Sequence, residues 1–354
     1  MDIVYKVFSN VLNERLKKIT ENVLGEYQCG FRKNRSMSDQ IFIIRQMMEK
    51  HYEHNQDLHM LFVDFKQAFD SMDRYGVHKI DQRGTIFTKL SQICAYADNI
   101  VITARTQKKL TEVYLDLEEE MSKLGMEINE NKTKYMVTST YEHRRNAGDL
   151  RIGNKTFEAV QDFQYLGNII GNTNSNDKCI KERITMGNKA YYANRQLVNS
   201  SLISRRSKLH IYRPVVTYGL ESWILSMEEE RALAVFERKI LRKIYGPVKE
   251  NELWRIRRND ELEVIIKREN IGRFIKCQRI QWLGHTERMQ DIEIPKKMYG
   301  KLYATRQRGR PKMRWLDDVS TDLRKMGINE WRDRARDREA WRRIVKEAKV
   351  HPGL

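Results

Sequence analysis

Two short apolar runs in the first third of the chain each end in a carboxylate, and they constrain the fold more than any other feature. His59-Met60-Leu61-Phe62-Val63 runs straight into Asp64, as a buried strand does when it reaches a polar end. Further on, Gln92-Ile93-Cys94-Ala95-Tyr96 and Ile100-Val101-Ile102-Thr103 flank Ala97-Asp98-Asn99. Apolar, polar tip, apolar again is the pattern of a hairpin. If these strands are neighbours, Asp64 and Asp98 meet at one end of one sheet. Paired carboxylates there suit a hard cation such as Mg²⁺, which takes oxygen ligands. An Asp at a turn also serves simply to satisfy main-chain amides, so both readings stand at this level.

Around these strands the pattern is mixed. Residues 3–24 place Val4, Val7, Phe8, Val11, Leu12 and Leu16 at helical spacing. A polar loop over 25–38 leads into a second helix running to about Tyr52. Leu110, Val113, Leu117, Met121 and Leu124 predict an amphipathic helix over 107–124, with Gly125 suited to its C-terminal cap. Segments 134–138 and 163–170 read as strands, and 71–91 is weakly patterned. Helical periodicity dominates from about 177, and a charged helical segment is expected over 315–349.

Charge divides the chain. It carries 66 basic and 48 acidic residues, net +18. The first 150 residues hold 22 of each sign, so the remainder carries the entire excess, together with all six tryptophans. A neutral front and a basic back point to a polyanion partner for the back, nucleic acid foremost. Arg306, Arg308, Arg310, Lys312 and Arg314 crowd into nine residues, a candidate nucleic-acid contact or simply a basic interdomain loop. Trp282, Trp315, Trp331 and Trp341 are expected to pack between helices.

No run approaches the length of a membrane-spanning helix, so no membrane partner is expected. The start, Met1-Asp2-Ile3-Val4-Tyr5-Lys6, is not a secretory signal. Cys29, Cys94, Cys179 and Cys277 are far apart. They predict neither a zinc site nor disulfides, but free thiols in a reducing, intracellular compartment, nuclear or cytoplasmic alike.

Several motifs, in order, carry a resemblance. Val63-Asp64-Phe65-Lys66-Gln67-Ala68-Phe69-Asp70 and Ala95-Tyr96-Ala97-Asp98-Asn99 are similar to the two catalytic motifs of reverse transcriptases of non-LTR (LINE-type) retrotransposons. Gln28-Cys29-Gly30-Phe31-Arg32 with Ser38-Asp39-Gln40 resembles the fingers segment. Leu124-Gly125-Met126-Glu127-Ile128-Asn129-Glu130-Asn131-Lys132-Thr133 resembles the element after the catalytic turn, and Phe163-Gln164-Tyr165-Leu166-Gly167 the hairpin before the thumb. Arg308-Gly309-Arg310-Pro311 and Trp315 look like the C-terminal portion of insect-type elements.

The resemblance implies an RNA-directed DNA polymerase, a nucleotidyltransferase using two Mg²⁺ (or Mn²⁺) ions on an RNA template with a DNA primer or target. It implies Asp64 and Asp98 as catalytic metal ligands and Asn99 at the neighbouring catalytic position. It implies the Phe65 carbonyl as an assisting group, Phe69 against the sugar of the incoming nucleotide, and Lys132 beside the leaving pyrophosphate.

Two departures bear on activity. Asn99 stands where the family has a second turn aspartate, and Asp64 and Asp98 are only 34 positions apart, less than the family's usual spacing. The sequence therefore predicts a truncated, internally deleted copy with a degenerate active site and impaired or absent polymerase activity. The alternative is a catalytically dead RNA- or DNA-binding protein acting through its basic C-terminal half. The expected fold is α+β: a reduced right-hand polymerase fingers–palm, then an α-helical thumb and a basic helical C-terminal region. The expected segments are fingers-like helices over 1–60, a reduced palm over 61–175, thumb-like helices over 176–245 and the basic helical region over 246–354.

Overall fold

The computed structural model describes residues 15, 29, 30, 32, 35–66, 91–96, 98–123, 125–267, 269–291, 293–299 and 314–354. The helix expected over 3–24 (Arg15 apart), Phe69, and Arg306, Arg308, Arg310 and Lys312 lie outside the described residues. The chain divides into two compact units. One comprises residues 1–166, 172–174 and 292–310; the other comprises 167–171, 175–291 and 311–354.

The first unit is a mixed sheet between helices. Helix α1 (Met37–Glu53) begins where Ser36 closes a capping box. The Asp39 amide donates to Ser36 Oγ at 3.3 Å, and the Ser36 amide donates to Asp39 Oδ2 at 2.5 Å. Strands β1 (Leu58–Val63), β2 (Phe65–Lys66), β3 (Ser91–Tyr96) and β4 (Asn99–Ala104) follow, then helix α2 (Gln107–Lys123). Next come β5 (Glu127–Ile128), β6 (Lys134–Thr138), a single turn α3 (Glu142–Arg145), β7 (Leu150–Ile152), β8 (Lys155–Ala159) and β9 (Asp162–Tyr165).

Six strands form one sheet in the order β3-β4-β1-β6-β8-β7, with β2 and β5 paired separately. The predicted strand–turn–strand is a hairpin: Tyr96 pairs with Asn99, and Asp98 lies in the tight turn between them. β1 is interior, antiparallel to β4 on one side and to β6 on the other. Among the described pairs of this six-stranded sheet, only β6 and β8 run parallel.

Strand alternation builds the core. Leu61, Val63, Ile100 and Ile102 point to one face and pack with Leu110, Val113, Leu117 and Met121 of α2. Burial of each such side chain contributes roughly 1.5–3 kcal/mol. The opposite face carries Phe62, stacked on Phe163 at 4.3 Å, and Thr103, whose hydroxyl donates to Met47 Sδ of α1. Gly125, at φ +70°, ends α2 as expected. A short helix, α10 (Ile294–Tyr299), also belongs to this unit and contacts α1.

The second unit opens with β10 (Asn168–Gly171) and is otherwise mainly helical. The single strand expected over 163–170 is interrupted: Leu166 and Gly167 both take positive φ, 45° and 74°, which turns the chain between β9 and β10. Helices α4 (Asp177–Ala193), α5 (Arg195–Asn199), α6 (Arg205–Val216) and α7 (Met227–Tyr245) follow. Then come a hairpin of β11 (Val248–Glu250) and β12 (Leu253–Arg255), α8 (Asn259–Ile265) and α9 (Ile271–Glu287). Helices α11 (Trp315–Lys325), α12 (Trp331–Arg336) and α13 (Arg338–Ala348) end the chain. The charged helical segment expected over 315–349 is made of these three helices. Gly327, at φ +74°, ends the first, and Asp337 caps the last through the amides of Glu339 and Ala340.

Helix α9 is the hub, packed by α7, α11, α12 and α13. Trp223, Trp315 and Trp341 are fully buried, and Trp282 and Trp331 nearly so. Trp341 Nε1 donates to the Ile280 carbonyl at 3.0 Å, and its indole lies over Gly284, where a Cβ would come within 2.0 Å of it. A buried ion pair joins α6 to α7. Arg213 Nη2 donates to Glu237 Oε1 at 2.7 Å and Nε at 3.0 Å, while Glu237 Oε2 accepts from the Ile271 amide at 2.7 Å. That carboxylate therefore also satisfies an open amide at the start of α9.

Candidate active site

The register of the sheet decides where the acidic residues go. Val63 pairs with Ile100, so Asp64, the next residue, falls opposite Asn99 as the ladder runs out. Asn99 in turn pairs with Tyr96 across the tight turn that holds Asp98. Asp64, Asp98 and Asn99 therefore share one end of the β1–β4 pair. Asp64 and Asp98 are partly exposed and Asn99 is exposed, so the sheet end opens to solvent.

Asp64 is fixed by the loop after β5. Its amide donates to Thr133 Oγ1 at 3.2 Å, and its carbonyl accepts from the Asn129 amide at 2.8 Å. Asn129 also organises its own loop, accepting from the Lys132 amide at its side chain and from the Thr133 amide at its carbonyl. The result carries Lys132 Nζ to 3.8 Å from Asp64 Oδ1. Phe65 pairs with Ile128 at a position flanked by ladder hydrogen bonds, so its own carbonyl is directed away from β5. Its ring is buried in the core. Beside it Lys66 and Glu127 form an exposed ion pair at 2.5 Å, which holds the Glu127 carboxyl below its usual range.

Asn99 uses its amide on its neighbour: Nδ2 donates to Asp98 Oδ1 at 3.2 Å. An aspartate there would supply a negative charge instead of a donor. Among the described residues no three His, Cys, Asp or Glu side chains converge as a metal cluster. The side-chain oxygens at this sheet end are two carboxylates and an amide oxygen, hard donors of the kind Mg²⁺ takes.

Residues from the fingers-like motif reach the same hairpin. The Cys29 amide donates to the Ala95 carbonyl at 2.9 Å, and Gln40 Nε2 donates to the same oxygen at 3.3 Å. Cys29 is buried, and that burial pushes its thiol up to about 11, so it is protonated at neutral pH. Of the basic cluster, only Arg314 is described. It precedes α11 with its Nε 3.7 Å from Asp317 Oδ2.

Two residues at the site had no role in the sequence reading: Asn129 and Thr133. Both lie inside a quoted motif, and the Asn-x-x-x-Thr spacing of a self-bonded loop is the signal that points to them.

The first unit is an α+β domain with a central mixed sheet that presents an Asp-Asn hairpin tip beside a strand-terminal aspartate. Residues 77–170 match the family model described as reverse transcriptase (RNA-dependent DNA polymerase). That stretch includes Asp98, Asn99 and Lys132 and begins downstream of Asp64. The chain is also similar to a transposon-derived protein of Caenorhabditis elegans, 21% identical over 262 residues, which is 71% of this chain and 94% of the relative. Residues 77–170 are thus similar to a reverse transcriptase domain, and most of the chain is similar to a protein named as transposon-derived. None of its described helices is long and apolar enough to cross a membrane.

Proposed function

We propose that this chain is a reverse transcriptase-like protein that binds an RNA template and a DNA primer or target, with the chemistry at Asp64 and Asp98 impaired. The observation that carries the second half is the Asn99–Asp98 hydrogen bond. It replaces a charge with a donor and engages an oxygen that a cation would use.

Asp64, Asp98 and the Phe65 carbonyl are the groups that would hold Mg²⁺ or Mn²⁺. A bound divalent cation supplies positive charge against phosphoryl oxygens in such a reaction. The chain's own share is positional. The Asn129–Thr133 loop clamps the Asp64 main chain at both its amide and its carbonyl. Lys132 extends an ammonium group along the same edge, placed to neutralise phosphate charge. Phe69 has the sequence position of the residue that packs against the nucleotide sugar. The absent charge at Asn99 would cost several kcal/mol of electrostatic stabilisation, about a hundred- to thousandfold in rate. The 34-residue spacing between the two aspartates is a second reason for impairment, because it leaves less chain to wall the nucleotide.

The test is primer extension on an RNA template with Mg²⁺ or Mn²⁺, comparing the parent, Asn99→Asp and Asp64→Ala. Expected are slow extension by the parent, faster extension by Asn99→Asp and none by Asp64→Ala. Extension by Asp64→Ala at the parent rate would remove the site from this sheet end. Silence from a folded Asn99→Asp, with oligonucleotide binding intact, would leave a protein that only binds nucleic acid.

A further inference from the structure

Five of the six tryptophans are buried; the sixth, Trp254, is 69% exposed. It sits on β12, in a hairpin whose turn residues Asn251 and Glu252 both take left-handed φ, 48° and 65°. A two-residue turn of that kind matches the twist of its strands and makes a tight hairpin. The turn residues, the strand pairing and the contacts of Arg255 all hold the hairpin in shape.

The two faces of this hairpin differ. Glu250, Leu253 and Arg255 share one face through the alternation of the strands. There the guanidinium of Arg255 is hydrogen bonded to Glu250 and to both carboxylate oxygens of Glu261. Those acids are already paired, and Arg255 holds the Glu261 carboxyl down to about 2. The other face carries Trp254 directly across from Lys249, with no carboxylate from either strand. Ile256, two positions beyond Trp254, is 73% exposed, and Lys249 is exposed. An indole and an isoleucine left in water beside a cation are costly to the chain alone and mark a contact surface.

We infer that the Trp254–Lys249 face of this hairpin holds a single strand of nucleic acid, with a base stacked on the indole and a phosphate against the ammonium. An aromatic platform with an adjacent cation is the arrangement by which single strands are held without regard to sequence. The alternation of the strands keeps acid off that face. The whole charge excess of the chain lies after residue 150, where the hairpin sits. This inference rests on nucleic acid being the protein's ligand, and adds where and in what form it is held.

The experiment measures fluorescence anisotropy of labelled oligo(dT) and oligo(rU) of about 20 nucleotides, longer than one stacking module covers, against the full chain, with a blunt duplex as the control. Trp254→Ala is expected to weaken single-strand binding about tenfold, within the range for one stacked base, and to change duplex binding much less. Trp254→Phe keeps a stacking face and should stay close to the parent. Lys249→Ala should lower the slope of log K against log salt by about 0.7, one phosphate contact on a single strand. Parent-like binding by Trp254→Ala, or equal losses for Trp254→Ala and Trp254→Phe with an unchanged Lys249→Ala slope, overturns the inference. So does unchanged affinity with a dimer that Trp254→Ala converts to monomer, since the face would then join two copies. A parent that binds no oligonucleotide at all overturns the functional reading, and this inference with it. Binding by the parent that Trp254 does not affect overturns this inference alone.

Discussion

Lys132 holds its ammonium nitrogen 3.8 Å from Asp64 Oδ1, while Thr133, the next residue, takes the Asp64 amide with its hydroxyl. One five-residue loop thus sets both the main chain and the electrostatic surroundings of the first aspartate. The ion pair is solvent-exposed, so Lys132→Ala should cost less than about 1 kcal/mol of stability. Its effect on ligands should be larger and of two signs. Removing the cation should tighten Mn²⁺ binding in the absence of nucleotide and weaken binding of a nucleoside triphosphate. Calorimetric titration of both ligands checks this, and parallel changes in the two affinities would contradict it.

Asn99→Asp should raise the affinity of the sheet end for Mn²⁺ by about tenfold, the equivalent of roughly 1.4 kcal/mol. The same change brings two carboxylates side by side in an exposed turn, so without metal it should lower the melting temperature slightly. Thermal melts with and without Mn²⁺ would show the order of the two proteins reversing when metal is added.

Glu237 pairs with Arg213 in a buried setting, and it also receives the first amide of α9. Glu237→Ala should destabilise the protein by about 3–5 kcal/mol, because it leaves a buried guanidinium uncompensated. Replacing both partners, Arg213→Met with Glu237→Leu, should recover most of that loss. Urea unfolding of the two variants and the parent tests the pair.

At Gly284 a methyl group would overlap the Trp341 indole. Gly284→Ala improves helix propensity by about 1 kcal/mol yet should still lose stability, since overpacking costs about 1–3 kcal/mol and occasionally more. A red shift in tryptophan emission on substitution would report that the ring had been displaced.

Asp322 is 2% exposed, and burial raises its carboxyl above the ordinary range; Arg279 and Lys276 oppose the shift. A raised folded-state value means the group's favourable contribution is complete below the unfolded value of about 3.9 and is lost as pH rises through the folded one. Asp322→Asn removes that dependence. It should be more stable than the parent at pH 7, with the advantage gone at about pH 4. Chemical melts at the two pH values decide, and an equal difference at both would assign the effect to packing.

The strands that build the sheet end are legible in the sequence because their alternation is strong and the Asp98-Asn99 tip interrupts it. Helix α2 is legible for the same reason, with five apolar residues at helical spacing and Gly125 behind them. The β7–β8 and β11–β12 hairpins are not, since strands of three to five residues with one polar face leave no periodicity to read. Trp254 is invisible as a special case: six indoles look alike in a sequence, and only the left-handed turn at Asn251-Glu252 puts this one outside. The clamp on Asp64 is hidden for another reason. Thr133 is 69 positions away, and the β1–β6 and β2–β5 pairings on either side bring it there.

The sheet registers carry a consequence for engineering. β3 and β4 find each other through their own tight turn, and β4 then docks on β1. Every ladder among the described residues of this sheet is made by residues outside 67–90, so the described strand pairing is set without that connection. It is the place in this domain for a graft. A longer segment spliced between Lys66 and Ser91 would leave the described cross-strand partners unchanged.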